Sequence, residues 1–149
     1  MDMEGTASLT ASPDTVFAEV ADLGTYTEWL GIVFGAESSP PQDGDPGPAW
    51  MVDLGAKIGP IPLTKKVRMV RTGHVAPKLV RFERKEHDGS EHSAWILTAE
   101  VEVADGGSVL TVSVHYGGGG RLPGIDSILR EEIRKGGARL QTRLDARSR

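Results

Sequence analysis

Arg84 is the residue whose position most directly suggests chemistry. It ends an alternating run in which Val80 and Phe82 share its side, so strand geometry turns it toward the interior. Because an uncompensated buried charge is costly, its guanidinium must reach solvent, a carboxylate or a ligand. Glu86 has the same parity and can pair with Arg84 at the rim of the fold. The alternative is that Arg84 orients a carboxylate, phosphate or enolate head group of a ligand.

Two hydroxyl groups are predicted on the same inward side. Ser93 falls opposite Arg84 in the predicted hairpin, and Tyr116 carries a phenol that needs a hydrogen-bond partner. Glu86 and Tyr116 are the plausible acid/base pair, so an enzymatic function would rest on them. No inward histidine accompanies Ser93, which disfavours nucleophilic catalysis. The pattern therefore predicts groups that orient a ligand rather than transform it.

The four histidines lack the spacing of a metal site. His74 and His87 fall at predicted turns, whereas His92 and His115 are predicted on the outward face. The chain has no cysteine and no HxH or HExxH pattern, so we expect neither a metal nor a cofactor. The glycine run 117–120 lacks the spacing of a phosphate-binding loop. It is predicted to be a hinge at the entrance to the interior.

Two turn signals define the central strands of the predicted sheet. We treat Asp88-Gly89 and Gly106-Gly107 as two-residue loops, so that the flanking residues pair one by one. The predicted facing pairs are Phe82–Trp95, Val80–Leu97, Val103–Leu110, Val101–Val112, Ala99–Val114 and Leu97–Tyr116. The alternate positions are predicted to point the other way: Glu83, Lys85, His92, Glu100, Glu102, Thr111, Ser113 and His115. One face of the sheet is therefore apolar and the other polar.

Capping signals and alternation predict the remaining elements. Ser12-Pro13 begins a helix that Gly24 ends, and Thr25 with Glu28 forms a capping box that opens a second short helix. Other predicted elements are strands over 3–11, 50–56 and 63–71, a loop over 35–48 with an edge strand near 36–39, and an amphipathic helix over 125–144. Gly136-Gly137 within that helix indicates either close packing on the sheet or room for a ligand.

Composition narrows the classes of function. The 149 residues suit one domain spanning 1–149, with enough chain for a core. A net charge of −4 argues against general nucleic-acid binding. The apolar stretches are too short to span a bilayer, and the first ten residues lack the apolar core of a signal peptide. We therefore expect a cytoplasmic protein without a transmembrane segment, either a monomer or a weak homodimer.

The opening of the chain resembles the START-like superfamily, also called SRPBCC or polyketide cyclase/dehydrase, which shares the fold of the birch pollen allergen. The similar segments are Ala11-Ser12-Pro13-Asp14-Thr15-Val16-Phe17, Val20-Ala21-Asp22-Leu23, Tyr26-Thr27-Glu28-Trp29 and, farther on, Arg81-Phe82-Glu83. The resemblance spans the chain and implies an α+β helix-grip fold, in which a curved antiparallel sheet wraps around a long C-terminal helix. Similar proteins range from lipid and hormone carriers to aromatase/cyclases and chaperone activators, so the resemblance does not select an activity.

The inward face is the predicted ligand site. Its members are Val52, Leu54, Val67, Met69, Phe82, Arg84, Ser93, Trp95, Leu97, Val112, Val114 and Tyr116, roofed by Ile125, Leu129 and Ile133. The favoured function is binding or transport of a lipid, polyketide, isoprenoid or aromatic metabolite in an internal cavity. The first alternative is a cyclase or dehydratase acting on such a ligand. The second is a protein-interaction module that uses the outer sheet face or the 35–48 loop.

Overall fold

The computed structural model describes residues 1–117 and 125–147. Its strands are β1 (Asp2–Leu9), β2 (Val33–Ser39), β3 (Ala49–Ile58), β4 (Ile61–Val75), β5 (Leu79–Arg84), β6 (Trp95–Ala104) and β7 (Gly107–Tyr116). Its helices are α1 (Pro13–Val20), a 3₁₀ helix (Leu23–Glu28) and α2 (Ile125–Arg147). The predicted order of elements is confirmed.

One antiparallel sheet contains all seven of these strands, in the order β1-β7-β6-β5-β4-β3-β2. Its edges are β1 and β2, and α2 contacts β1, β3 and the 3₁₀ helix. The long helix therefore lies across the opening between the two ends of the curved sheet. This is the predicted helix-grip fold.

The predicted register of β6 and β7 was wrong by two residues. Val101 lies opposite Leu110, and Leu97 lies opposite Val114. The two turn residues are Asp105 and Gly106, because Gly106 has a φ of 77° that glycine adopts without strain. A shift of two preserves the side of the sheet on which every residue lies, so the predicted faces survive.

The predicted register of β5 and β6 was also wrong by two residues, for a different reason. Phe82 lies opposite Leu97 rather than Trp95, and Val80 lies opposite Ala99. Asp88-Gly89 does bend the chain, but within a connection over 85–94 that is much longer than two residues. Strand alternation does not apply to side chains in that connection.

The helix boundaries near the N-terminus differ from the prediction. Ser12 caps α1 as expected, but the helix ends at Val20 rather than at Gly24. Asp22, not Thr25, caps the following helix, because its carboxylate accepts the Gly24 N–H at 2.9 Å. The Thr25 hydroxyl instead donates backward to main-chain carbonyls.

Glycines on β1 and α2 allow the sheet and helix to approach closely. A Cβ at Gly5 would lie 2.6 Å from the Ile133 carbonyl oxygen, and a Cβ at Gly137 would overlap that of Ala7. A Cβ at Gly136 would come 2.9 Å from a Leu30 methyl. Close packing, rather than space for a ligand, therefore explains the glycine pair in α2.

We expect Gly137→Ala to destabilise the fold by roughly 2 kcal/mol, because the added methyl overpacks the contact with Ala7. In an unobstructed helix the same change would stabilise by about 1 kcal/mol. Adding Ala7→Gly removes the obstructing methyl, so the double variant should recover most of the loss. Urea unfolding of the three proteins tests this, and a Gly137→Ala variant at least as stable as the wild type would contradict the packing.

Candidate functional site

The predicted apolar lining is assembled in the interior. Its members come from β3 to β7 and α2, and each is at most 7% exposed: Val52, Leu54, Val67, Met69, Phe82, Trp95, Leu97, Val112, Val114, Leu129 and Ile133. The side chain of Ile125 lies outside the described residues. That this surface contacts a ligand remains a prediction.

An aromatic cluster fills the interior near α1. The ring centroids of Tyr26 and Trp29 are 4.5 Å apart, and Phe82 packs edge-on against Tyr26 and Trp50. The Tyr26 hydroxyl donates to the Val20 carbonyl at 2.7 Å, and burial raises the pKa of Tyr26 well above its usual value. The candidate lining did not include Trp50, although it alternates in phase with Val52. The register places Trp50 opposite Met69 and Met69 opposite Arg84, so the cluster extends to the row of the sheet that holds Arg84.

Arg84 forms the ion pair with Glu86 that its parity predicted. Its Nε donates to Glu86 Oε1 at 2.9 Å, Nη2 donates to Oε2 at 3.2 Å, and Nη1 donates to the Ser93 carbonyl at 3.2 Å. The side chain is 3% exposed, so it does not extend into solvent. Ser93 contributes its main chain to this contact. Most donors of Arg84 are thus occupied by protein acceptors.

Glu86 is held as a carboxylate. Burial raises its pKa, but hydrogen bonds from Arg84 and from the Arg68 main-chain N–H, together with the charge of Arg84, outweigh this and leave the pKa below its usual value. A carboxylate stabilised in this way is a weak base and is not available as an acid near neutral pH. This weakens the pairing of Glu86 with Tyr116 as an acid/base couple.

The outward placement predicted for His92 was wrong. His92 lies in the 85–94 connection, where its Nε2 is 3.0 Å from Glu86 Oε2 and 2.9 Å from Asp88 Oδ2. Its Nδ1 is 3.3 Å from Arg84 Nη2. Since arginine only donates, Nδ1 is the acceptor and Nε2 carries the proton. The long connection, which the sequence did not indicate, allows this approach.

The ligand atoms of Glu86, Asp88 and His92 lie within 4.8 Å of one another, as in a metal site. The arrangement does not suit one, however. A metal on His92 Nε2 would require the proton on Nδ1, which faces the Arg84 guanidinium. The same guanidinium already neutralises Glu86. These contacts favour a hydrogen-bonded cluster over a cation site.

A second ion pair, which no sequence pattern predicted, lies on the outer side of the sheet. Buried Arg68 donates through Nη2 to Asp45 Oδ2 at 2.7 Å and to the Pro40 carbonyl at 3.1 Å. His87 Nε2 lies 2.7 Å from Asp45 Oδ1. Hydrogen bonds from Arg68, the Gln42 main chain and His87 hold the pKa of Asp45 well below its usual range. This cluster fixes the 40–48 loop against β4.

Trp95 and Tyr116 stack at the same end of the sheet as Arg84. Their ring centroids are 4.4 Å apart, and the main chain of Tyr116 bonds to Met1 in both directions. Among the described residues, none forms a hydrogen bond with the Tyr116 hydroxyl. The buried Trp29 indole N–H also has no hydrogen-bond partner among the described residues. In the predicted hinge, Gly117 bonds to the Ala94 carbonyl, whereas 118–120 lie outside the described residues.

Comparison with known proteins agrees with this architecture. The family described as "Polyketide cyclase / dehydrase and lipid transport" matches residues 1–145. The chain belongs to this family. No helix in the described part of this family member is long and apolar enough to cross a membrane. Comparison with curated protein sequences gives no match.

Solved structures show the same fold at low sequence identity. A protein of Thermus thermophilus superposes with a TM-score of 0.71 at 16% identity, with 100% of both chains covered. A START superfamily protein from Mycobacterium smegmatis gives 0.70 at 14% identity over 97% of each chain. Major latex-like protein 151 from Panax ginseng gives 0.65 at 9% identity over 96% of each chain. These similarities establish the fold alone.

We expect Arg84→Met to lower the free energy of unfolding by roughly 3 kcal/mol, because it leaves a half-buried Glu86 carboxylate without its cation. Arg84→Met/Glu86→Leu should recover part of this loss, since both charges are then removed. Thermal and urea unfolding provide the comparison. If the double variant is no more stable than the single one, the ion pair does not account for the effect.

Proposed function

We propose that this chain binds a hydrophobic small molecule between the concave face of its sheet and α2, and acts as a carrier. The ligand class is a lipid, polyketide, isoprenoid or aromatic metabolite. The family supports this, because its description includes lipid transport. The fold supports it as well, since a START superfamily protein is among the similar structures.

The observation that carries the proposal is the segregation of polarity inside the fold. Apolar side chains from β3 to β7 and from α2 share the inner surface, while the polar groups on that side collect near Arg84. A ligand that buries about 400 Å² of apolar surface there would gain roughly 10 kcal/mol before the entropic cost of binding. Apolar burial is therefore the main source of affinity in this proposal.

The polar groups near Arg84 favour a ligand with a neutral head group. Arg84 is already paired with Glu86 and the Ser93 carbonyl, so an acidic ligand would have to displace protein acceptors. The Tyr116 hydroxyl is not engaged by the described residues and can donate to or accept from a carbonyl or hydroxyl. We assign Tyr116, rather than Arg84, the main role in orienting the ligand.

A carrier fits these contacts better than a cyclase or dehydratase. General acid/base catalysis needs a group whose pKa lies near the working pH. The ion pair with Arg84 and the Arg68 N–H keep the pKa of Glu86 low instead. The protein-interaction alternative has less support, because the Arg68–Asp45 pair ties the 40–48 loop to the body of the fold.

Binding of a neutral naphthylamine dye, followed by its fluorescence, tests the proposal. We expect saturable binding with one dye per chain and at least a tenfold loss of affinity in Val67→Phe, which adds bulk to the inner face. Thr98→Phe, on the outer face of β6, is the matched control and should bind as the wild type does. Thermal unfolding confirms that both variants fold. Saturable binding unaffected by Val67→Phe, or no saturable binding at all, would refute an interior site.

A further inference from the structure

The β3–β4 hairpin extends beyond the rest of the sheet. Pairing of β4 with β5 begins at Met69, and pairing of β2 with β3 ends at Leu54. Residues 57–66 therefore pair only within the β3–β4 hairpin and with no other described strand. Gly59, with a φ of 60°, and Pro60 form the tight turn at the tip. We call residues 57–66 the hairpin tip.

The hairpin tip exposes apolar side chains on one face. Ile61 is 60% exposed and Leu63 is 39% exposed. The register places Ile61 opposite Ile58, and Leu63 opposite Ala56, so these residues share the side of the sheet that carries Leu54. An apolar strip thus runs from the exposed Ile61 and Leu63 through Ala56 toward the buried interior. Lys65 lies on the same side, opposite Leu54.

The part of the chain that contains the hairpin tip is strongly basic, although the protein as a whole is acidic. Residues 54–82 contain no aspartate or glutamate and hold seven of the 17 lysines and arginines, although the net charge is −4. Lys57, Lys65 and Lys66 lie in the hairpin tip and are exposed. Lys66 is 3.9 Å from Asp53, while neither Lys57 nor Lys65 has an ion pair among the described residues. Lys65 shares the face of Ile61 and Leu63. Lys57 and Lys66 lie on the opposite face, so the tip carries positive charge on both faces.

We propose that the hairpin tip docks on an anionic lipid membrane. Ile61 and Leu63 enter the boundary between head groups and acyl chains, and the lysines contact lipid phosphates. The apolar strip from Leu63 to Leu54 then offers a hydrophobic ligand a path between membrane and interior. The docking surface goes beyond the proposed function, because membrane binding can be measured without an interior ligand.

Charge complementarity favours this partner over a second copy of the chain. Two hairpin tips placed face to face would bring six lysines together, and that repulsion opposes self-association. An anionic membrane attracts the same lysines, each contributing about a fivefold gain in affinity near the surface. The apolar residues add the affinity that distinguishes insertion from simple surface attraction.

Sedimentation with vesicles tests the docking. The full chain should bind vesicles containing phosphatidylglycerol at least tenfold more tightly than vesicles of phosphatidylcholine alone, and less tightly as salt increases. Ile61→Ser/Leu63→Ser and Lys57→Glu/Lys65→Glu should each reduce binding at least tenfold. Matched controls at the other end of the sheet are Val75→Ser/Val103→Ser and Lys78→Glu, which should bind as the wild type does.

Loss of vesicle binding could also result from misfolding, so a variant that should bind more tightly is included. Ile61→Trp should bind anionic vesicles more tightly, with a blue shift in tryptophan emission on binding. Absence of wild-type binding to anionic vesicles, or equal losses in the control variants, would overturn the proposal. So would concentration-dependent dimerisation that Ile61→Ser/Leu63→Ser abolishes without an effect on vesicle binding. If the tip variants lose vesicle binding but still bind the naphthylamine dye, membrane docking and the interior site are shown to be independent.

Discussion

The close approach of α2 to β1 is the contact on which the rest of the structure depends. A curved antiparallel sheet leaves an opening between its edge strands, and its apolar inner face must be covered. Gly5 on the strand and Gly137 on the helix remove the side chains that would hold these elements apart. On its other side α2 meets Leu30 and Trp29 next to the 3₁₀ helix. The helix therefore contacts the fold on both of its sides and covers the inner face of the sheet. This contact encloses the interior.

Ionic contacts at one end of the sheet stabilise segments that lack regular structure. The Arg84–Glu86 pair holds the start of the 85–94 connection, and the Arg68–Asp45 pair holds the 40–48 loop. The Arg68 main-chain N–H bonds to Glu86 and joins the two clusters. Charges that could have served a ligand are thus used to order the protein. This is the physical reason why we assign recognition to Tyr116 and to apolar surface.

The faces of the strands could be predicted from sequence, whereas the register could not. Alternation in β6 and β7 is unchanged by a shift of two residues, so Leu97 and Val112 are buried although their predicted partners were wrong. The contact of His92 with Glu86 depends on the path of the 85–94 connection, and no periodicity describes that path. The Arg68–Asp45 pair joins residues far apart in sequence, and local pattern carries no information about it. The Arg84–Glu86 pair could be predicted from sequence, because the two residues are only two positions apart.

An interior site fixes where a bound molecule lies. Isotope-filtered NMR of the protein with the naphthylamine dye measures contacts between ligand protons and individual methyl groups. Contacts with Val67, Val112 and Ile133 would place the dye between the sheet and α2, as we propose. Contacts confined to exposed methyl groups such as those of Val75 and Val103 would contradict the proposal.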